Sequence, residues 1–218
     1  MSSRRLPGKV LAPVDGRPML MYLLERLGRG VGVDGMSVAT SNLASDDPIA
    51  AFCGAHGIRC YRGELQNVAA RLLAAAELNN ADAFVRISAD SPLLDRALVT
   101  RAVELYRGAV PDLVSNVVVR TFPKGQSVEV INTASLRAAL PLFDSVDEYE
   151  HVTLHFYRNR KNFRVASFEA DGDLSNLQLS VDTPEDLECV RGLVARFKRP
   201  HWNYGLDEIV GMLKDRAA

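Results

Sequence analysis

The chain has 218 residues, 47% of them hydrophobic and 24% charged, with a formal net charge of −1. That is enough for one sizeable core, and the balanced charge gives no electrostatic footprint for nucleic acid or an acidic membrane surface. Its longest apolar runs fall well short of the roughly 20 residues that cross a bilayer, and no signal-peptide pattern opens it. The three cysteines, Cys53, Cys60 and Cys189, leave an odd number with no C-x-x-C pair. They read as reduced thiols of a cytoplasmic protein rather than a disulfide frame or zinc site.

The chain opens on "SSRRLPGKV", a basic turn with Arg4, Arg5 and Lys9 around Pro7-Gly8 and with no element in front of it. The first helical pattern follows at "RPMLMYLLERL". Short β-rich runs then alternate with longer helical ones. "MSVAT" reads as a strand, "DPIAAFCGAHG" as a helix, "IRCY" as a strand and "VAARLLAAAEL" as a helix. "DAFVRIS" has the character of a central strand, and "DRALVTRAVELY" of the amphipathic helix after it. Further strands are predicted at "DLVSNVVV", "SVEVI", "FRVASF" and "LSV". Further helices are predicted at "ASLRAALPLF", "EYEHVTLHFYRN", "PEDLECVRGLVARF" and "LDEIVGMLKD". Such alternation predicts a single α/β domain, a sandwich with a mainly parallel sheet. Ligands of such sheets bind beyond the carboxyl ends of the strands, which directs attention to the loops "RRLPGK", "ATSNLASDD" and "SADSPLLD".

In "RRLPGK", Gly8 allows the backbone to approach phosphate oxygens, and Arg5 and Lys9 supply opposite charge. The spacing of a Walker loop is absent. In "RISADSPLLD", Asp95 suits a helix cap, whereas Asp90 stands too early for one and can serve as an oxygen ligand to Mg²⁺. In "LSVDTPEDLE", Thr183, Pro184 and Asp186 have the spacing of a capping box, which leaves Asp182 at the strand end for a second metal ligand. His151 and His155 stand at i and i+4. With no third ligand evident they read as surface or groove residues rather than a zinc pair. No G-x-S-x-G or Cys–His pattern supports a hydrolase.

Taken in order, "RLPGKVL", "ATS", "VRISADSPLLD", "VSNV", "VEV", "EHVT" and "LSVDTPEDLE" resemble the cytidylyltransferase family that includes spore-coat polysaccharide biosynthesis enzymes. More distantly they resemble the synthetases of CMP-activated sialic acid and ketodeoxyoctonate. The resemblance runs to about Phe197. It implies a three-layer α/β sandwich of the nucleotide-diphospho-sugar transferase type. It also implies CTP and a sugar or sugar acid as substrates, attack on the α-phosphate with release of pyrophosphate, Mg²⁺ as cofactor, and a homodimer. Matched by position, Arg5, Gly8 and Lys9 fall at the triphosphate, with Arg5 and Lys9 in the catalytic role. Asp90 and Asp182 fall at the metal, Asp90 also at the nucleotide. Thr40, Ser41, Asn67 and Arg71 line the nucleotide pocket, and Glu129, Glu150 and His151 the sugar side.

The chain departs from the family pattern in several places. The hydrophobic strand ending in Gln-Ala-Arg that precedes the phosphate loop is missing before Met1. The expectation is that the natural protein starts upstream; the alternative is a shortened homologue whose sheet closes up or is completed by a partner chain. Ala89 replaces a glycine, Lys124 and Ser127 stand where acids are usual, and Asn67 and Ala70 replace two more. These losses keep open a catalytically impaired homologue acting as a binding or scaffold protein. A nucleotidyltransferase using UTP or GTP is the third reading.

Overall fold

The computed structural model describes residue 3 and residues 5–217, with side chains as far as residue 215. After a 3-10 turn at Lys9–Leu11 comes a small antiparallel hairpin, β1 (Pro13–Val14) and β2 (Arg17–Pro18). Its turn residues Asp15 and Gly16 have φ of 45° and 74°, the left-handed pair that a two-residue turn needs. The alternation follows: α1 (Met19–Leu27), β3 (Ser37–Ser41), α2 (Asp47–Ala55), β4 (Arg59–Gly63), α3 (Val68–Leu78), β5 (Ala83–Arg86) and α4 (Arg96–Ala109). The second half contains β6 (Leu113–Ser115), β7 (Glu129–Asn132), α5 (Thr133–Ala139), α6 (Val146–Glu150), α7 (Leu154–Arg158), β8 (Val165–Ser167), α8 (Pro184–Val194) and α9 (Leu206–Ala217).

β3 and β4 form a parallel pair, and β5, β7, β6 and β8 form a four-stranded sheet in that order. β8 runs parallel to β6, whereas β7 is antiparallel to both β5 and β6. Within that sheet β7 is therefore the one reversed strand. The period of two along each strand separates two cores. Val85, Val114 and Val130 point to one face, against Met19, Val99, Val190 and Ile209 from α1, α4, α8 and α9. Their neighbours Phe84, Leu113 and Ile131 point to the other, against Leu73, Leu136, Val152 and Phe156 of the α3–α7 side. Helices on both faces of the sheet make the sandwich three-layered. Among the described residues β5 pairs only with β7 and β3 only with β4, and all four residues of β5 are half-buried, in contrast to fully buried β6.

Three predicted elements differ. "LSV" is not a strand: Leu179 and Ser180 donate to the carbonyl of Lys124, and Val181 to that of Asp90, bonds that cross between loops instead of running along one ladder. "DLVSNVVV" keeps its strand only to Ser115, because the Asn116 side chain takes over the pairing, donating to the Gln126 carbonyl at 2.7 Å and accepting from Val128 N at 2.8 Å. "EYEHVTLHFYRN" is two short helices. Val152 is fully buried and Thr153 turns inward to donate to Glu129 at 2.7 Å, so the helix breaks between them and His151 and His155 do not share a face. His151 is exposed, while His155 is buried and stacked on Phe143 with ring centroids 5.0 Å apart.

One buried cation fastens the α1 side. Arg26, 1% exposed, donates to the carbonyls of Leu94 at 2.8 Å, Tyr204 at 2.7 Å and His201. Its guanidinium thereby ties α1 to the start of α4 and to the turn before α9, with every nitrogen donating to a backbone oxygen.

Candidate active site

The carboxyl ends of the strands carry the chemistry. Gly8 has φ 74° and ψ 7°, a left-handed turn that glycine adopts without strain, and it starts the 3-10 turn holding Lys9. The Lys9 ammonium, 13% exposed in its side chain, donates to Asp90 Oδ2 at 2.8 Å, Asp182 Oδ1 at 3.0 Å and the Val181 carbonyl at 2.7 Å. Arg5, exposed, meets Asp182 Oδ1 at 3.3 Å. Two aspartates 92 positions apart by number are brought together because Val181 N binds the Asp90 carbonyl at 2.9 Å. Arg4 lies outside the described residues.

The electrostatics are those of a compact charge cluster. Burial opposes the Lys9 charge, yet Asp90 and then Asp182 outweigh it and raise its pKa above the ordinary value. Burial likewise opposes the charge of Asp182, but Lys9, with help from Arg5 and Lys124, holds its carboxyl below the usual range. Both aspartates are free of structural duty as helix caps. Thr183 and Asp186 form the capping box of α8 between themselves, and Asp95 caps α4 by accepting from Ala97 N at 2.8 Å. Two hard carboxylates are what Mg²⁺ takes from a protein when phosphates and water complete its shell. Among the described residues no cluster of three or more His, Cys, Asp or Glu side chains forms a self-sufficient metal cage.

A second group lies where β3 and β4 end side by side, Ser41 opposite Gly63. Thr40 Oγ1 and Ser41 Oγ donate to Asp46 Oδ2 at 2.8 and 2.6 Å, and Ser41 N joins them at 3.0 Å. These two residues stand where the nucleotide pocket was expected, with their hydroxyl protons committed to Asp46. Asn67 caps α3 by accepting from Ala70 N at 2.9 Å. Arg71 folds back to donate to the carbonyls of Glu64 and Leu65, and its charge lies within the influence of Asp46. Among the described residues its Nε is buried without a partner.

Burial works against the Asp46 charge, but hydrogen bonds to the carboxylate, those from Ser41 and Thr40 among them, hold its carboxyl well below the usual range. A depressed native pKa contributes stability that is complete above the unfolded-state value of about 4 and disappears as pH falls through the native one. Asp46→Asn is therefore expected to lose roughly 1–3 kcal/mol at neutral pH. Its deficit in melting temperature against the parent should shrink as the pH is taken below about 4; a deficit unchanged with pH would remove the ionised carboxylate from the account.

On the other face of β5, Arg86 stands opposite Glu129 in the β5–β7 register. Glu129, 3% exposed, receives bonds from Arg86, from Thr153 at 2.7 Å and from Tyr157. Burial, then the Glu129 charge, pushes the Tyr157 hydroxyl far up, and Ser115 Oγ lies 2.7 Å from it. Both oxygens of Glu129 are thus engaged by the protein, and the half-exposed Arg86 is what this pair presents outward. Glu150 and His151, also assigned to the sugar side by position, are exposed at the end of α6, without side-chain hydrogen bonds among the described residues.

Sequence reasoning missed Asp46, Arg86 and Tyr157. Asp46 could have been found as an acid beginning a helix just past the polar strand end "TSN". Arg86 could have been found as a lone charge inside an apolar strand. Tyr157 had no local signal, since its partner is 28 positions away. A hollow of about 610 Å³ lined by Ser37, Arg59, Cys60 and Asn79 lies at the amino-terminal ends of β3 and β4, away from these groups.

This architecture is shared with solved structures. A cytidylyltransferase from Leptospira borgpetersenii superposes with a TM-score of 0.91 at 25% identity, covering 100% of this chain and 91% of that one. A CMP:2-keto-3-deoxy-manno-octonic acid synthetase solved in complex with CTP gives 0.65 at 20% identity, covering 89% and 95%. The spore coat polysaccharide biosynthesis protein SpsF of Bacillus subtilis is 30% identical over 200 residues, 88% of this chain and 82% of that protein. A sequence model of the cytidylyltransferase family matches residues 1–212. The chain belongs to the cytidylyltransferase family.

Proposed function

We propose that the chain transfers CMP from CTP to an oxygen of a sugar or sugar acid, releasing pyrophosphate, as a step toward a surface polysaccharide. The observation that carries this reading is the meeting of Lys9, Asp90 and Asp182 beside the glycine turn at the carboxyl end of the sheet. The acceptor oxygen forms a bond to the α-phosphorus, the bond from that phosphorus to the bridging oxygen breaks, and the acceptor proton leaves to solvent or base. Such transfers ask the protein mainly for alignment and charge neutralisation.

Lys9 and Arg5 would take phosphate oxygens, and the Gly8 turn would let the backbone approach them. Asp90 and Asp182 would hold Mg²⁺, which when bound neutralises charge building on the pyrophosphate. The Asp46-braced end of β3, with Asn67 and Arg71, offers a rigid wall for the nucleoside. Arg86, braced by Glu129, offers a cation on the acceptor side, where Glu150 and His151 are free to meet a sugar. The names of the relatives agree with this reading, one for spore coat polysaccharide and one for an octonic acid synthetase. Free Cys53, Cys60 and Cys189 suit a cytoplasmic enzyme, and among the described residues no helix is long and apolar enough to cross a membrane. A homodimer belongs to the same reading.

The test is pyrophosphate release with Mg²⁺, each of CTP, UTP, GTP and ATP, and a panel of neutral sugars and 2-keto sugar acids. Release with CTP and one acceptor class is expected. Release with UTP or GTP in preference would replace the base, and CTP binding without release under any acceptor would favour the scaffold alternative.

A further inference from the structure

Lys9 is usually read in such a loop as a phosphate ligand, yet here its ammonium is fully committed elsewhere. Its three protons match three acceptors, Asp90 Oδ2, Asp182 Oδ1 and the Val181 carbonyl, at 2.7–3.0 Å. A divalent cation bridging the two aspartates would claim the same carboxylates at about 2.1 Å from each oxygen. An ammonium holding one oxygen of each carboxylate and a dication held by the same two groups repel strongly in a half-buried setting, so each weakens the other's hold.

We propose that Lys9 is an internal counter-ion that competes with the divalent cation for Asp90 and Asp182, so that the cation loads together with the nucleotide triphosphate and not alone. This rests on the reading above that the two aspartates hold the metal. The charges around the site point the same way. Arg5 and Lys9 meet Asp182 at 3.3 and 3.0 Å, and Lys9 meets Asp90 at 2.8 Å, so each aspartate already has a cation on it. A bare dication has to displace those cations from the carboxylates while offering them no new partner. A metal–triphosphate complex arrives with net negative charge, and its oxygens give the displaced Lys9 new partners within reach of the same flexible stem. Lys124, where the family usually has an acid, adds to the positive charge acting on Asp182 and so strengthens the coupling in this chain.

The experiment is equilibrium dialysis of Mn²⁺ against the full chain, with and without CTP, for the parent, Lys9→Met and Lys9→Gln. Circular dichroism checks that each variant is folded, and melting temperature is recorded with and without Mn²⁺. The parent is expected to hold Mn²⁺ weakly alone and at least about tenfold more tightly with CTP, in excess of what CTP itself chelates. Both variants are expected to bind Mn²⁺ alone about tenfold more tightly than the parent, to gain melting temperature from Mn²⁺ where the parent does not, and to bind CTP more weakly. Should the parent load Mn²⁺ with CTP while both variants bind it alone no better than the parent, the counter-ion role is overturned and the metal reading stands. Should neither the parent with CTP nor the variants take up Mn²⁺, both are overturned. Lys9→Gln covers the case in which Lys9→Met fails to fold, because its amide can still donate to both carboxylates.

Discussion

Asp90→Asn and Asp182→Asn are each expected to lower CMP transfer by on the order of 10²–10³-fold, the scale seen when one pre-aligned charge-stabilising group is removed from a transfer site. The two carboxylates meet at one ammonium, 2.8 and 3.0 Å away, so either change halves the negative charge available to a cation. Neither is expected to unfold the protein. Asp182 lies outside the capping box, which Thr183 and Asp186 complete by themselves, and Asp90 contributes its carbonyl, not its side chain, to the bond with Val181. Asp95→Asn is the useful contrast. It weakens the bonds to Ala97 N and Leu206 N, so it should cost stability while leaving turnover per folded molecule near that of the parent. Steady-state pyrophosphate release, normalised to folded protein by circular dichroism, reads all three. Retained turnover in Asp90→Asn or Asp182→Asn would falsify that residue's place in the site.

Gly125→Ala is expected to be among the most damaging single changes to stability. Gly125 has φ 90°, which disfavours any side chain, and an added Cβ would stand 2.4 Å from Ser180 N and 2.6 Å from the Leu179 carbonyl carbon. Both neighbours are backbone and cannot rotate away. They are also pinned, by bonds of 2.8 and 3.1 Å from Leu179 N and Ser180 N to the Lys124 carbonyl, and by the full burial of Leu179 and Val181. Strain at φ together with a forced backbone shift corresponds to roughly 2–5 kcal/mol. At this chain length that is a fall in melting temperature of about 10 °C. Because the displaced segment runs straight into Asp182, the variant should lose turnover even at temperatures where it stays folded. Gly172→Ala, where an added Cβ meets nothing within 4 Å, should change neither. Thermal melts and activity of the two variants side by side decide the matter.

Local signals in the chain carried far. Helix α3 was readable from "VAARLLAAAEL" and is Val68–Leu78, because a run of strong helix formers between a polar cap and a polar stop leaves little for tertiary contacts to override. The caps at Asp95 and Thr183 were readable for the same reason: a side chain accepting from an amide two or three residues on is settled within one turn. Strands β3, β5 and β7 were visible as short β-rich runs, and the ordered motifs placed the family.

Other features were decided by partners distant in the chain. "LSV" has a strand's composition but pairs with the 124 loop and the Asp90 carbonyl, neither of which composition can indicate. "EYEHVTLHFYRN" has a helix's periodicity but breaks where Val152 and Thr153 are drawn to the core and to Glu129, 24 positions away in the case of Thr153. Glu129 matched the sugar side by position, yet in the fold it is the buried brace of Arg86, a role visible only once β5 and β7 lie in register.

What the sequence by itself determined, then, is most of the helices and strands, where several helices begin, the family, and which aspartates cap helices and which do not. Those properties rest on interactions within a few residues, whose free energy local composition sets. Only the tertiary structure decided that Asp90 and Asp182 share one ammonium, that Thr40 and Ser41 brace Asp46, and that Lys124 acts on Asp182. Charge–charge and hydrogen-bond energies act through space at 3–4 Å, and sequence separations of up to 173 positions carry no trace of such distances until the chain is folded.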